Sequence, residues 1–555
     1  MNVPVEGASS DSADSAGSAD SSDSVDDAGS ADSSDSVDDA GSADSSDSAG
    51  SADAGPQRAP RSDCPALAKH RPRRGVRTRG RIAAVLGVVV VVAAAATVDA
   101  VVEHPHLPGP PAFGDGSTVV AGTAVASAWA CAGGTVGSGS GGVSAAPTYY
   151  LTNTTDHVVT GTMSSVVGGS KGHSSPPARQ ALSVPALGTT AVRPAASLPS
   201  GAVASSFVLA GGGVGVTEVV AGPTGWSRAP CASLTSPTWY FAGGSTSGAG
   251  SLELAMFNPT DAVTVVDVSF TTPTGVVDPA NYQGLVIPAG QVLTENVGTY
   301  VQDRPEIATI VQAVSGRLVA DETQQWVAAP NRGLSVRLGS PAASDTWQFA
   351  QTTDLPGSTV TFHLFNPGAS AATVSLTFHL TGASVVPMVL TVPAQSIVDF
   401  VSSKVSRVPA GRPYALTVAS GRGHGLVVAR SVAEAGSGSP PTWGASSGTV
   451  TLARRWLVPP PGAPGAPGVA GAAVTSLAVS DPGRRAAHVV VSELGDPKLR
   501  IPLTIAAGTV AVLDPPVVGG LDAYELRSDT PVAVEEDAAP TAGPGVVAFS
   551  GLPMH

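Results

Sequence analysis

The sequence predicts an all-β exported region of tandem immunoglobulin-like β-sandwich units, preceded by one transmembrane helix and a disordered N-terminal tail. Three observations lead to this fold class. Tryptophans recur at a fixed interval, apolar residues alternate with a period of two, and charge and hydropathy change abruptly within the first 102 residues.

Residues 1–57 are predicted to be a disordered acidic repeat tail. They contain no Lys or Arg and 14 of the 43 acids, so they account for the net charge of −14. The segment Ala19–Ser30 recurs unchanged as Ala31–Ser42. A tract of Asp, Ser, Ala and Gly buries too little apolar surface to offset its ordering entropy. Such a tract is typical of an entropic spacer, of a segment that attracts basic partners, or of a replication-slippage expansion under little constraint, which is the preferred interpretation.

Residues 58–81 form a basic juxtamembrane segment, and residues 82–102 a transmembrane helix or signal anchor. The apolar run 82–98 would be about 25 Å long as a helix, the short limit for a bilayer core. Positive charge before it predicts a cytoplasmic N-terminus and an extracellular C-terminal region. Its position beside the apolar run favours this topology over nucleic-acid binding. A retained anchor is favoured over cleavage, which would give a secreted protein.

Residues 103–117 form a Pro/Gly-rich stalk, and four units follow at 118–236, 237–344, 345–453 and 454–555. The anchors of the units are Trp129, Trp239, Trp347 and Trp456, which lie 110, 108 and 109 residues apart. Repetition at this spacing indicates one buried core tryptophan per unit. Three further tryptophans, Trp226, Trp326 and Trp443, precede members of this series.

Apolar side chains alternate with polar ones within each unit. Leu252, Leu254 and Met256 share one face of a predicted strand that ends at Asn258. Polar turns at Asn153-Thr154, Asn258-Pro259, Asn366-Pro367 and Asp481-Pro482 are each followed by a second turn, at Pro185-Ala186, Pro288-Ala289, Pro393-Ala394 and Ala506-Ala507. About seven short strands per unit predict a sandwich with one face of each sheet buried.

The cysteines agree with this topology. Cys131 and Cys231 lie on the predicted outer side of the membrane and Cys64 on the inner side. Because disulfides persist in oxidising compartments, we expect a bond between Cys131 and Cys231.

The run 231–245, with LAMFNPTD, VTVVDVSF, the IPAG turn, VQAVSGRLVAD and Trp326, resembles domain of unknown function 5719. This is a family of secreted or membrane-anchored actinobacterial proteins. The resemblance covers about residue 128 to the C-terminus and implies an exported protein with a paired cysteine. It implies no activity and no catalytic residue.

Motifs for chemistry are weak. Ser170 and Ser446 lie in G-x-S-x-G matches, but neither has the strand, turn and helix that a nucleophile elbow needs. His173 near Ser170 adds little. His363 and His379 would be a weak metal pair on neighbouring strands, and solvated strand positions are the preferred interpretation. The acids Asp321-Glu322 and Glu535-Glu536-Asp537 are interpreted as a solvated strand edge.

We therefore expect no catalytic residues, cofactor, metal or nucleic acid. The predicted function is a non-enzymatic cell-envelope or surface protein with structural or binding roles, attached to the membrane through 82–102. Its expected partners are cell-wall or envelope proteins. The alternative is a single-pass signalling or regulatory membrane protein with an acidic cytoplasmic tail.

Overall fold

A computed structural model describes residues 116–137, 145–168, 174–328, 330–434, 441–462, 470–496, 498–514, 521–542 and 547–555. The predicted tail, basic segment, transmembrane helix and nearly all of the stalk lie outside these residues. Across the described ranges no helix is long and apolar enough to cross a membrane.

Unit 1 is a sandwich of two antiparallel sheets. Its strands are β1 (Ser127–Cys131), β2 (Thr135–Val136), β3 (Ala146–Asn153), β4 (Val159–Val167), β5 (Ala178–Val184), β6 (Gly188–Val192), β7 (Gly201–Leu209), β8 (Val214–Gly222) and β9 (Gly225–Pro230). One sheet has the order β1-β7-β4-β5, with β2 beside β7, and we call it the outer sheet. The other has the order β6-β3-β8-β9, and we call it the inner sheet.

Unit 2 repeats this arrangement. Its strands are β10 (Thr238–Gly244), β11 (Gly250–Phe257), β12 (Thr264–Thr272), β13 (Gly275–Val277), β14 (Leu285–Ile287), β15 (Val292–Asn296), β16 (Ile307–Ser315), β17 (Val319–Trp326) and β18 (Arg332–Leu338). The outer sheet is β10-β16-β12-β13 with β14 beside β12, and the inner strands are β15-β11-β17-β18. Short 3₁₀ turns span Ala280–Tyr282 and Val297–Thr299.

Unit 3 has the same strand order. Its strands are β19 (Thr346–Thr353), β20 (Ser358–Asn366), β21 (Ala372–Leu380), β22 (Ala383–Ser384), β23 (Met388–Val392), β24 (Ser396–Val401), β25 (Pro413–Ser420), β26 (Val427–Glu434) and β27 (Thr442–Ser447). The outer sheet is β19-β25-β21-β22 with β23 beside β21, and the inner strands are β24-β20-β26-β27. A 3₁₀ turn spans Ser402–Lys404. Parallel pairing of β18 with β27 joins the inner sheets of units 2 and 3 into one sheet of eight strands.

Unit 4 differs because one long strand serves both sheets. Its strands are β28 (Ala453–Val458), β29 (Ala470–Asp481), β30 (Ala487–Glu493), β31 (Arg500–Ile505), β32 (Thr509–Leu513), β33 (Tyr524–Ala542), β34 (Val547–Ser550) and β35 (Leu552–Pro553). The first part of β33 pairs with β28 and β30, and the second part with β29 and β34. It thus takes the place of two consecutive strands of the other units, such as β7 in the outer sheet and β8 in the inner sheet of unit 1.

The alternating side chains of each strand explain the two layers. In β12, Val266, Val268 and Phe270 are fully buried, whereas the intervening Val265 and Asp267 are partly exposed. A period of two places these sets on opposite faces, so one face covers the core and the other meets solvent.

The four units close into a ring. The last inner strands, β9, β18, β27 and β34, form a cycle of neighbours in which β34 also contacts β9. We call these four the axis strands. The ring is completed by a parallel bridge between Val119 and Met554, in which the Val119 amide donates to the Pro553 carbonyl at 2.9 Å.

Each anchor tryptophan lies in a different apolar cluster. Trp129, Trp239, Trp347 and Trp456 are buried in the clusters of units 1, 2, 3 and 4, respectively. The indole nitrogens of the last three donate to the backbone carbonyls of Leu318, Leu426 and Val532. Leu318 and Leu426 directly precede β17 and β26, and Val532 lies within β33; these three strands carry the buried charges described below. The cluster of unit 1 also includes Leu457 and Leu552 of unit 4, so the core itself crosses the closure of the ring.

Candidate functional site

Buried charges surround the ring axis. The register places Glu218, Glu322, Arg430 and Glu536 at one equivalent position in units 1 to 4, opposite Ala229, Arg337, Ser446 and Phe549 of the axis strands. All four charged side chains are almost completely buried. Because burying an unpaired charge is costly, each needs a compensating group.

Three Arg–carboxylate pairs supply this compensation. Arg337 pairs with Glu322 inside unit 2, Arg430 pairs with Glu535 between units 3 and 4, and Arg228 pairs with Glu536 between units 1 and 4. Each guanidinium also donates to a backbone carbonyl, that of Arg228 to the Pro459 carbonyl at 2.7 Å. The Arg228 guanidinium also stacks 3.8 Å from the centre of the Phe549 ring.

The interpretation of the paired acids as a solvated edge is therefore wrong. Asp321, Glu322, Glu535 and Glu536 are 1 to 3% exposed. Asp537 is half-buried, and desolvation, followed by the Glu535 carboxylate, raises its pKa to about 8. The strands that carry them are not edges, because β18 and β34 extend the inner sheets beyond them. Adjacent acids do point to opposite faces of the inner sheet. One face covers the core of its own unit, and a neighbouring unit covers the other.

Unit 1 departs from this pattern. Glu218 faces Ala229, and within the described part of the chain neither of its carboxylate oxygens has a hydrogen bond of good geometry. Burial raises the pKa of Glu218 well above its usual value, and the Asp321 carboxylate raises it further. Burial also raises the pKa of Asp321 to about 7, although its Oδ2 accepts from the Ala132 amide at 2.5 Å. At the boundary of units 1 and 2, both carboxyl groups therefore have pKa values above those of exposed carboxyl groups.

A small pocket lies where the axis strands meet. Its volume is about 60 Å³, and it is lined by residues of all four strands, including Arg228, Arg337, Ser446 and Phe549. A space of this size holds about two waters by share of liquid volume. It is too small for an organic substrate, since ligand pockets are typically about 300 to 1,000 Å³.

Ser446 does not resemble a nucleophile. It lies within β27, and its Oγ accepts from the Arg430 guanidinium at 3.2 Å. The strand-turn-helix geometry of a nucleophile elbow is not present there. Ser170 and His173 lie outside the described residues.

His363 and His379 do not form a pair. His363 is on β20 in an inner sheet and His379 on β21 in an outer sheet, and each is 7% exposed. The prediction of neighbouring, solvated positions is wrong for both, because adjacent units cover the faces that one isolated sandwich would leave wet. His379 bonds to the Thr417 hydroxyl at 2.8 Å, and burial lowers its pKa.

His363 instead contacts two carboxylates. Its Nδ1 lies 2.8 Å from both Glu306 Oε1 of unit 2 and Asp399 Oδ1 of β24, and its Nε2 lies 2.8 Å from the Ser431 hydroxyl. Burial opposes the imidazolium, but the two carboxylates outweigh this and raise the pKa of His363 to about 10. The three groups are close enough to ligate one metal ion.

The two outer cysteines form a disulfide. The bond joins Cys131 at the end of β1 to Cys231 just after β9, with a Cα–Cα distance of 4.8 Å. It therefore links the first and last strands of unit 1. Both residues are buried beside the cluster that contains Trp129.

Two wider clefts lie between units. One of about 540 Å³ between units 1 and 2 is lined by hydroxyl-bearing residues and Arg179 together with apolar residues such as Val208 and Phe257. The other, of about 430 Å³ between units 3 and 4, includes His379 and Thr417.

Glu218, Glu306, Asp399 and the three buried arginines are the residues that sequence reasoning did not identify. The sequence does contain a pattern that could have located some of the buried charges. The carbonyl that accepts from an anchor tryptophan is followed, four residues later, by Glu322, Arg430 or Glu536. Alignment of the four units on their tryptophans would have exposed this recurrent charged position.

No family model and no curated protein matches this chain. A crystal structure of Thermotoga maritima 1070 is 18% identical with a TM-score of 0.18, covering 19% of this chain and 93% of that one. A tetra-tandem repeat in the extending region of a large adhesion protein is 14% identical with a TM-score of 0.11, and the match covers 73% of this chain and 95% of that one. At these scores neither likeness bears on function, and the resemblance to domain of unknown function 5719 stays a prediction.

Proposed function

We propose that this chain is a non-enzymatic protein of the cell envelope or surface that presents four β-sandwich units for a structural or binding role. Residues 82–102 would attach it to the membrane with the ring outside. The observation that carries the proposal is the closed ring: buried ion pairs and a terminal β-bridge hold the units in fixed relative positions. The term immunoglobulin-like is proposed for the two-layer architecture only.

The placement of the charged residues supports a non-enzymatic role. Glycosidase carboxylates must flank an accessible cleft. Here Glu322, Glu535 and Glu536 are instead buried against arginines and join the units. A rigid ring of this kind suits recognition, because preorganised surfaces lose little conformational entropy on binding.

The clefts between units are the proposed contact regions for a wall polymer or another envelope protein. The cleft of units 1 and 2 has the volume of a ligand site, and its lining combines apolar side chains with the polar side chains of Thr162, Ser164, Ser206 and Arg179. Hydroxyls and a guanidinium are suited to hydrogen bonding with a polar polymer.

Envelope binding gives the main test. Purified residues 104–555 should sediment with isolated cell envelopes, and Arg179→Ala with Thr162→Val should reduce the bound fraction at least five-fold. As a matched control, Arg412→Ala removes an exposed arginine of unit 3 and should change nothing. Labelling of the ring by serine-hydrolase probes, or equal envelope binding by all three proteins, would reject the proposal.

Topology is tested separately. Protease added to intact cells should digest units 1 to 4 and spare residues 1–57, and N-terminal sequencing should show whether the leader is retained. The signalling alternative predicts that deletion of residues 2–57 abolishes function, whereas a structural or binding role predicts little effect.

A further inference from the structure

We propose that Glu306, His363 and Asp399 form a binding site for one divalent transition-metal ion, with Zn²⁺ as the representative ion, that links units 2 and 3. The inference goes beyond the proposed envelope role and is independent of it.

The ligand atoms come from three separate chain segments. Glu306 precedes β16 in unit 2, whereas His363 and Asp399 are cross-strand partners on β20 and β24 of unit 3. Glu306 Oε1, His363 Nδ1 and Asp399 Oδ1 all lie within 4.8 Å of one another. An ion among them would therefore bridge the two units.

The imidazole is held in a fixed orientation. An added Cβ at Gly243, which has a φ of +79°, would come within 2.5 Å of the His363 ring, so the glycine backbone packs directly against it. On the other side, His363 Nε2 bonds to the Ser431 hydroxyl at 2.8 Å. Metal-binding histidines commonly use the second ring nitrogen for such a bond, which directs the first toward the ion.

These residues are not part of the repeated scaffold. The cross-strand pairs equivalent to His363 and Asp399 are Tyr150/Ala191, Ala255/Thr294 and Ala478/Val512 in the other three units. Since the other three units fold with no imidazole or carboxylate at these two positions, packing does not require a histidine opposite an aspartate.

The ligand set selects the class of ion. One imidazole and two carboxylates suit Zn²⁺ and similar ions, whereas Ca²⁺ and Mg²⁺ prefer oxygen ligands alone. Two carboxylates also balance the charge of a divalent ion. The Asp399 side chain is 42% exposed and that of Glu306 is 12% exposed, which leaves the site open to water ligands.

Only a small adjustment is needed to admit the ion. Tetrahedral bonds of about 2.0 to 2.1 Å place ligand atoms roughly 3.3 Å apart. The present Nδ1 to oxygen distances of 2.8 Å are hydrogen bonds, so each carboxylate must move by about half an ångström. The ion would take the place of the proton that now lies between these groups.

Calorimetric titration of the full-length chain with Zn²⁺, after chelator treatment and in excess Mg²⁺, tests the site. We expect one ion per chain and a dissociation constant below about 10 µM, with release of about one proton. His363→Gln, Glu306→Gln and Asp399→Asn should each weaken binding at least ten-fold, as losses around metal sites do.

His379→Gln is the matched control, because it removes the other buried histidine of unit 3. It should leave the Zn²⁺ affinity unchanged. Circular dichroism and thermal midpoints identify any variant that fails to fold, and Asp399→Asn is the mildest of the three because its side chain is partly exposed. The proposal is overturned if folded Asp399→Asn and Glu306→Gln proteins bind Zn²⁺ as tightly as wild type, or if His379→Gln causes the same loss.

Discussion

Replacement of Asn258 by Asp should destabilise the ring region, because its amide connects the two turns that recur in each unit. Asn258 is fully buried, and its Nδ2 donates to the Ala262, Ile287 and Pro288 carbonyls at 2.7, 3.0 and 3.2 Å. Its Oδ1 accepts from the Thr260 amide. Asn153 and Asn366 make the same set of bonds in units 1 and 3. We call this arrangement the amide clamp.

The magnitude follows from the donors that are lost. Two N–H groups serve three carbonyls, of which that of Ile287 is buried and the other two are partly buried, and each hydrogen bond contributes about 1 kcal/mol net. An aspartate keeps the acceptor but sets a second oxygen against the three carbonyls, so it must stay protonated or repel them. We expect Asn258→Asp to lower the free energy of unfolding by about 3 kcal/mol. If the whole ring unfolds cooperatively, this loss lowers the thermal midpoint by roughly 3 to 6 °C.

Unit 4 supplies the reverse experiment. Asp481 occupies the clamp position, its Oδ1 accepts from the Gly483 amide, and its buried Oδ2 has no hydrogen bond of good geometry among the described residues. Asp481→Asn restores the donors and should stabilise by about 1 to 2 kcal/mol.

Differential scanning calorimetry of residues 104–555 measures both changes. Asn281→Asp is the control, because it adds the same charge at an exposed position. A loss below about 0.5 kcal/mol for Asn258→Asp, or destabilisation by Asp481→Asn, would refute the reasoning for the clamp.

Three further predictions concern the disulfide, ring closure and pH. Replacing Cys131 and Cys231 by Ala should cost up to about 4 to 5 kcal/mol for a loop of 100 residues, measured by urea unfolding. Arg228→Met should cost about 3 to 5 kcal/mol, since it leaves the carboxylate of Glu536 buried without its arginine, and should speed hydrogen exchange near the C-terminus. Asp321 has a pKa of about 7 in the folded protein, above its value in the unfolded chain. Its contribution to stability is therefore complete below about pH 4 and is lost as pH rises through 7, so the thermal midpoint should fall between pH 5 and 8. The Asp321→Asn variant should show a smaller fall in thermal midpoint over this range.

Matched variants separate these effects from general damage. Arg527→Met removes an arginine whose side chain is 65% exposed, and it should cost less than about 1 kcal/mol. Equal losses for Arg228→Met and Arg527→Met would show that ring closure does not depend on the buried pair. A thermal midpoint that rises from pH 5 to 8 would contradict the raised pKa of Asp321. Unchanged urea stability without the cysteines would mean that other contacts already fix the ends of unit 1.

The repeated β architecture was predictable because local rules determine it. The alternation in Leu252, Leu254 and Met256 depends only on the two-residue period of a strand, and all three are buried in β11. The polar turn at Asn258 was recognisable from its residue types. Its bonds to the carbonyl of Pro288 were not, since contacts between two turns depend on how the sheets are stacked.

The buried charges were not predictable from one unit alone. Charged residues on a strand are normally assigned to its solvated face, and this places Glu536 in solvent. The assignment is correct for an isolated sandwich whose inner sheet is open on one side. In the ring, Arg228 from a unit some 300 residues earlier covers that face. No local pattern reports such a partner, whereas comparison of equivalent positions across units does.

Ring closure and charge burial depend on each other. Each inner sheet uses one face for its own core, so its other face is buried only if a neighbouring unit covers it. A wholly apolar second face would expose a large patch whenever the ring opened and would favour aggregation. Charged residues avoid this patch, but they are stable in the ring only where an arginine and a carboxylate meet, as Arg228 and Glu536 do. Glu218 and Asp321 meet with no arginine paired to either of them among the described residues, so the boundary of units 1 and 2 is where a rise in pH should first weaken the ring.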